Sequence, residues 1–165
     1  KTEAKPLSAE ADRGLASVFG HRMSNNGLIE YYGPKNPKII LIAMGSVVGT
    51  IKDVVDKTQI ATNKKRIATN KKIGVLKIKC YRPFPEKAIL DIIKKAKYIA
   101  VLDKAISLGH IGPLASDIKS IAQGKIKSKI QSFIIGLGGR DVTEEMIKKI
   151  IAEIEKRDDE VKFIG

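Results

Sequence analysis

The chain contains no tryptophan, and aromatic residues of all kinds make up only 5% of its 165 residues. Its hydrophobic fraction is nevertheless an ordinary 43%, carried mostly by Ile, Val, Leu and Ala. Packing must therefore come from branched aliphatics, which suit a parallel sheet buried on both faces. A single cysteine, Cys80, excludes an internal disulfide and fits a reducing cytoplasm. No apolar run is long enough to span a membrane, and no signal peptide is recognisable. Histidine is as scarce: His21 and His110 stand apart from each other and from Cys80, so a zinc site has no support. Acidic residues are in deficit, and 18 against 31 basic ones leave a net charge of +13. Such a charge would steer nucleic acid or another polyanion towards the chain. The basic residues are spread along the whole sequence rather than gathered in one block, which favours a generally lysine-rich surface.

What is present is regular. The length fits one domain with a sizeable core, and the start at Lys1 rather than Met suggests a fragment or processed product. Residues 8–19 fit an amphipathic helix with Ser8 as cap and Leu15, Val18 and Phe19 on its apolar face. A polar loop follows, then a short strand at 28–32, closed by Gly33-Pro34 and Pro37. Four near-continuous apolar runs come next, at 38–44, 73–78, 98–102 and 130–135. Each leads into a helical pattern: 50–56, 86–96, a segment ending near Ala122, and 144–156. Thr143 is placed to cap the last of these, with Glu144 and Glu145 in its positive first turn.

Four buried strands, each followed by a helix, predict a doubly covered parallel α/β sheet. Right-handed crossovers put every carboxyl end on one edge, where open α/β sheets usually keep their function. That edge would collect Gly45-Ser46, Tyr81-Arg82-Pro83-Phe84-Pro85, the loop 103–112 and Gly136-Leu137-Gly138-Gly139-Arg140-Asp141. One oddity interrupts the pattern. Ile60-Ala61-Thr62-Asn63-Lys64-Lys65-Arg66 is followed at once by Ile67-Ala68-Thr69-Asn70-Lys71-Lys72, a direct duplication. Connections tolerate such insertions, and the absence of aromatics from the repeat argues against a nucleic-acid patch.

Several motifs look like chemistry and fail on spacing. The glycines at 136, 138 and 139 approach the dinucleotide fingerprint, but Asp141 holds the position of its third glycine. The motif also sits on the fourth of these strands, not the first. Gly45 and Gly49 have three residues between them where a phosphate loop has four, and no Lys stands where such a loop needs one. Helix-start amides there would hold an anion, but a helix cap is the favoured reading. Asp103, Ser107 and His110 share one loop, without the strained elbow of a hydrolase, and triads draw their members from separate loops. Tyr81 to Pro85 is the most unusual stretch: two prolines fix the backbone where a strand ends. Arg82 is able to bind a carboxylate or phosphate bidentately; the structural reading is that it pairs with a neighbouring acid while Phe84 plugs the space under the next helix, and both can hold at once.

Taken together and in order, four of these stretches resemble one family. They are Leu41 to Ser46 with Gly49 to Val54, Gly74 to Pro85, Ala100 to Asp103 with Ser107 and Gly109, and Gly136 to Asp141. They are similar to the 2-oxoacid:ferredoxin oxidoreductases, above all to the carboxy-terminal domain of the pyruvate:ferredoxin oxidoreductase α chain, over residues 28–151. The resemblance implies a transketolase C-terminal-like fold: a three-layer α/β domain around a five-stranded, mostly parallel sheet with one antiparallel edge strand. It implies a linker from an upstream domain at 1–27, this domain at 28–157 and a charged tail at 158–165.

For the complete enzyme the resemblance implies oxidative decarboxylation of a 2-oxoacid to an acyl-CoA, with ferredoxin reduced. Thiamine diphosphate, magnesium and iron–sulfur clusters would lie elsewhere in a cytoplasmic, non-membrane complex, since this chain lacks cluster cysteines and a Gly-Asp-Gly motif. No catalytic, metal or cofactor-binding residue is expected here, and the isolated chain should be inactive. The expected contact residues are Gly45, Ser46, Tyr81, Arg82, Pro83, Phe84, Asp103, Ser107, Gly136, Gly138, Gly139, Arg140 and Asp141. They would face the rest of the α chain and neighbouring subunits, or border the substrate or coenzyme A path. Ala105, where a polar residue is expected, and the duplication depart from the family pattern. The rival reading is an independent basic module that binds nucleic acid or another polyanion.

Overall fold

The computed structural model describes residues 24–25, 27–65, 72–107, 111–156 and 161–165. The expected helix at 8–19, His21, Gly109, His110, residues 66–71 of the duplication and Asp158 to Glu160 lie outside the described residues. The strands are β1 (Ser24–Asn25), β2 (Ile29–Tyr32), β3 (Ile39–Met44), β4 (Ile73–Ile78), β5 (Tyr98–Asp103), β6 (Lys129–Ile135) and β7 (Lys162–Ile164). The helices are α1 (Val47–Lys65), α2 (Glu86–Ile93), α3 (Pro113–Ala122) and α4 (Glu144–Glu153).

The strands form one sheet in the order β1-β2-β4-β3-β5-β6-β7. β4, β3, β5, β6 and β7 run parallel, while β2 is antiparallel to β4 and β1 to β2. The sheet thus has seven strands where the sequence reading predicts five. Both additions are short strands at the sheet's two edges, defined by backbone pairing rather than by an apolar run. β1 is two residues paired with Tyr31 and Glu30. β7 falls inside the stretch read as a charged tail, and its Ile164, 5% exposed, pairs with Ile135.

Ile39, Ile40, Leu41 and Ile42 are consecutive and all 0% exposed, because helices cover both faces of β3. Odd-numbered Ile39, Leu41 and Ala43 pack with Val47, Ile51, Val54 and Val55 of α1 and Ile147, Ile150 and Ile151 of α4. Even-numbered Ile40 and Ile42 pack with Ile89 and Ile93 of α2 and Leu114, Ala115 and Ile118 of α3. Burying such a side chain contributes roughly 1.5–3 kcal/mol, so the two aliphatic layers supply most of the driving force.

The helix bounds differ from the sequence pattern for physical reasons. α1 begins earlier than residue 50, since Val47 and Val48 are already buried, and its first heptapeptide copy simply continues it to Lys65. α2 and α4 stop at Ile93 and Glu153, each giving way to a turn before the next strand. Side-chain bonds then tie elements together. Tyr32 donates its hydroxyl to Asp56 at 2.7 Å, Lys52 pairs with Glu30, and Lys57 of α1 pairs with Glu144 of α4.

Candidate interface at the carboxyl edge of the sheet

The order of the sheet reverses at β3. The chain leaves β3 for β4 on one side and returns past it to β5 on the other, so the loops after β3 and β5 flank a topological switch point. The four loops singled out in the sequence all emerge on this edge.

After β3, Met44 is 39% exposed and Gly45 turns the chain with φ 75° into exposed Ser46. The Gly49 N–H donates to the Ser46 carbonyl at 3.0 Å, closing the first turn of α1. After β4, the Arg82 guanidinium lies 4.1 Å from the Tyr81 ring centre and 5.7 Å from that of Phe84. The two rings meet edge to face at 5.8 Å. Arg82 pairs with Asp117 of α3 at 2.9 Å, and the Arg82–Pro83 peptide is cis. The structural reading of this motif is what the structure shows: Arg82 pairs within its own chain, and half-buried Phe84 packs into the α2–α3 layer. Asp117 holds the Arg82 pKa above the ordinary value by hydrogen bonding to the guanidinium.

Asp103, at the end of β5, turns inward and is only 8% exposed. Its carboxylate accepts the N–H groups of Leu114 and Ala115 at 3.0 and 3.1 Å. These are two of the amides left free at the start of α3, whose capping position is Gly112 and so has no side chain to offer. A Cβ on Gly112 would lie 2.2 Å from Asp103 Oδ2. Asp103 therefore does a cap's work from a neighbouring strand. Burial pushes its pKa up, and the nearby Asp117 adds to this, against the downward pull of the two amides. The Ser107 N–H donates to Ile111 at 3.2 Å, and its exposed side chain stays on the edge.

After β6, Gly136 adopts φ 56°, and a Cβ there would meet the Arg140 carbonyl at 2.8 Å and Lys104 Cε at 2.9 Å. Only glycine fits both the conformation and the space. A single 3₁₀ turn, Leu137–Gly139, then rises from the sheet with Leu137 42% exposed, followed by exposed Arg140 and Asp141. Thr143 accepts the Met146 N–H at 3.4 Å, a long bond but at the predicted capping position.

The edge thus gathers exposed Gly45, Ser46, Arg82, Pro83, Ser107, Gly138, Gly139, Arg140 and Asp141, with Tyr81 and Phe84 half-buried beneath them. Asp103 and Gly136 are withdrawn into its foundations. Sequence reasoning missed the exposed apolar pair Met44 and Leu137. A strand buried on both faces has no alternation to mark where burial ends, so Met44 reads as more core. A groove of about 510 Å³ lined by Ile111, Ser116, Lys119, Ser120, Ile126 and Ile130 runs along α3 towards the start of β6. Among the described residues no three His, Cys, Asp or Glu side chains are grouped to hold a metal, and no helix is long and apolar enough to cross a membrane.

Fold and edge define a class: a three-layer α/β domain whose carboxyl-edge loops present backbone, apolar side chains and a few charges for contact. Residues 37–147 match the family model described as pyruvate:ferredoxin oxidoreductase core domain II, and the chain belongs to that family. It is 41% identical to the pyruvate synthase subunit PorA of Methanocaldococcus jannaschii over 98% of its own length and 39% of that protein's. It is 34% identical to PorA of Pyrococcus furiosus, covering 93% of this chain and 36% of the relative. To the ketoisovalerate oxidoreductase subunit VorA of Pyrococcus horikoshii it is 30% identical, over 93% and 37%. The chain therefore spans less than two fifths of the length of these relatives. A 2-oxoglutarate:ferredoxin oxidoreductase from Magnetococcus marinus, solved with 2-oxoglutarate, coenzyme A and succinyl-CoA bound, matches with a TM-score of 0.53. It shares 16% identity and covers 91% of this chain and 24% of that one, a likeness of fold.

Proposed function

We propose that this chain is the assembly domain of a 2-oxoacid:ferredoxin oxidoreductase α chain, contributing contacts rather than reacting groups. The complete enzyme would decarboxylate a 2-oxoacid oxidatively to its acyl-CoA and pass the electrons to ferredoxin in the cytoplasm. Residues 1–27 would lead in from an upstream domain. The carboxyl edge would pack against that domain and neighbouring subunits, bordering the substrate or coenzyme A path.

One observation carries this reading. Met44 and Leu137, two of the large apolar side chains that the fold leaves exposed, stand on the edge that also bears Gly45, Gly138 and Gly139. A Cβ at any of these three glycines would have nothing within 4 Å, so the bare backbone is open to a close-packed neighbour.

The donor set does not fit the family's cofactors. Cys80 is the sole thiol of the sequence and its Sγ lies 3.1 Å from the Arg82 carbonyl oxygen, so an iron–sulfur cluster finds no ligand set. Among the described residues no three His, Cys, Asp or Glu side chains come together around a common point. Substituting Leu137→Asp and Arg140→Ala in the intact enzyme should weaken subunit co-purification or lower turnover several-fold. Normal assembly and full activity in both variants would overturn the proposal.

A further inference from the structure

The lysines that look scattered in the sequence are gathered by the fold on the opposite edge. Each central parallel strand is preceded or opened by one: Lys72 at β4, Lys38 at β3, Lys97 at β5 and Lys129 at β6. The sheet order β4-β3-β5-β6 makes these four neighbours. Their backbones are bonded in that sequence, with the Lys38 N–H on the Lys72 carbonyl at 2.7 Å. The Lys97 N–H follows on Lys38 at 3.0 Å, and the Lys129 N–H on Lys97 at 3.0 Å. Strands stand about 4.8 Å apart, so the row is about 14 Å long. Exposed Lys125 and Lys127 extend it along the loop into β6.

Among the described residues few groups answer this charge. Glu155, just beyond α4, pairs with Lys38 at 2.7 Å, and Asp91 of α2 is taken by Lys94 at 2.6 Å. Lys129 donates to the Lys156 carbonyl at 2.6 Å. The helices point their carboxyl ends towards this edge, each worth about −0.5 charge, so four of them offset roughly two lysines. Lys72, Lys97, Lys125 and Lys127 form no ion pair among the described residues. On the carboxyl edge, by comparison, two of the cations have an acid beside them: Arg82 pairs with Asp117, and Arg140 is followed in the chain by Asp141.

We propose that this amino edge is a docking strip for an acidic protein surface, which sets Asp and Glu carboxylates against the lysine row. Charge complementarity names the partner's sign, and two details name its kind. Among the described residues the row is lysine throughout, without the guanidinium forks that grip phosphates two bonds at a time. The aromatic ring set in it, Tyr98, lies between the Lys38 and Lys97 ammonium groups, 5.9 and 5.3 Å from its centre. It is not offered for stacking on a base.

The test titrates the full 165-residue chain with poly-L-glutamate and, separately, with a single-stranded homopolymer RNA of matched charge. Poly-L-glutamate should bind in a salt-dependent manner and more tightly than the RNA. The triple variant Lys72→Gln, Lys97→Gln and Lys127→Gln should weaken that binding roughly tenfold. Removing the same charge with Lys87→Gln, Lys104→Gln and Lys149→Gln should change it less than about threefold. Lysine-reactive footprinting of the unmodified chain serves as a second readout, with Lys72, Lys97, Lys125 and Lys127 shielded by poly-L-glutamate and Lys87 and Lys149 not. Equal effects of the two triple variants, equal shielding, tighter binding to RNA, or no binding of poly-L-glutamate would each overturn the proposal.

Discussion

At the scale of single residues, Asp103 and Gly112 act as one unit across nine positions of chain. The strand-end carboxylate reaches the Leu114 and Ala115 amides, and the bare glycine lets it in. Asp103→Ala leaves two helix-start donors without their acceptor and should lower stability by about 1 kcal/mol. Gly112→Ala should cost more. Its new Cβ would sit 2.5 Å from the Asp103 Cβ as well as 2.2 Å from Oδ2, so the backbone itself must move. Urea midpoints of the two variants, compared at constant m-value, check the order; a Gly112→Ala chain as stable as the parent would contradict it. The sequence marks Asp103 as an edge residue or a would-be catalytic acid. Its role depends on where residue 112 lies in space, which spacing alone does not tell.

At the scale of elements, legibility followed the source of the order. β4 falls on 73–78 as read, because a continuous apolar run with turn residues after it has one way to be buried. Thr143 and the start of α4 are legible for a similar reason, since a cap and two acids in the first turn are local signals. β7 is three residues among charges, and only its pairing with β6 makes it a strand. The α1–α4 contact is equally non-local: Lys57 and Glu144 pair on the outside of the layer. Lys57 holds the Glu144 carboxyl below its ordinary pKa through their hydrogen bond, with Lys148 adding a smaller pull. A carboxyl whose folded pKa is depressed lends stability above its unfolded pKa and loses it as pH falls through the folded value. The chain should therefore weaken on acidification below about pH 4.3, and Lys57→Gln should flatten that part of the curve. Parallel profiles for parent and variant between neutral and acid pH would count against the pair.

At the scale of the whole molecule, the sheet separates two kinds of surface. Its carboxyl edge carries glycine turns, Met44 and Leu137, and its amino edge carries the lysine row. The first was foreseeable once four strands were read as parallel, because crossover handedness collects their ends. The second was not. Neighbours in the row, Lys72 with Lys38, Lys38 with Lys97 and Lys97 with Lys129, are 34, 59 and 32 residues apart in the chain, and only the strand order makes them adjacent. In the function proposed above, the carboxyl edge is covered by the rest of the α chain and its partners. Amide hydrogen exchange at residues 44–49, 104–107 and 136–141, compared between the isolated chain and the assembled enzyme, tests this most directly. Marked slowing is expected at these loops on assembly, with the exposed outer faces of α1 and α4 unchanged. Unaltered exchange at all three loops in the assembled enzyme would contradict it.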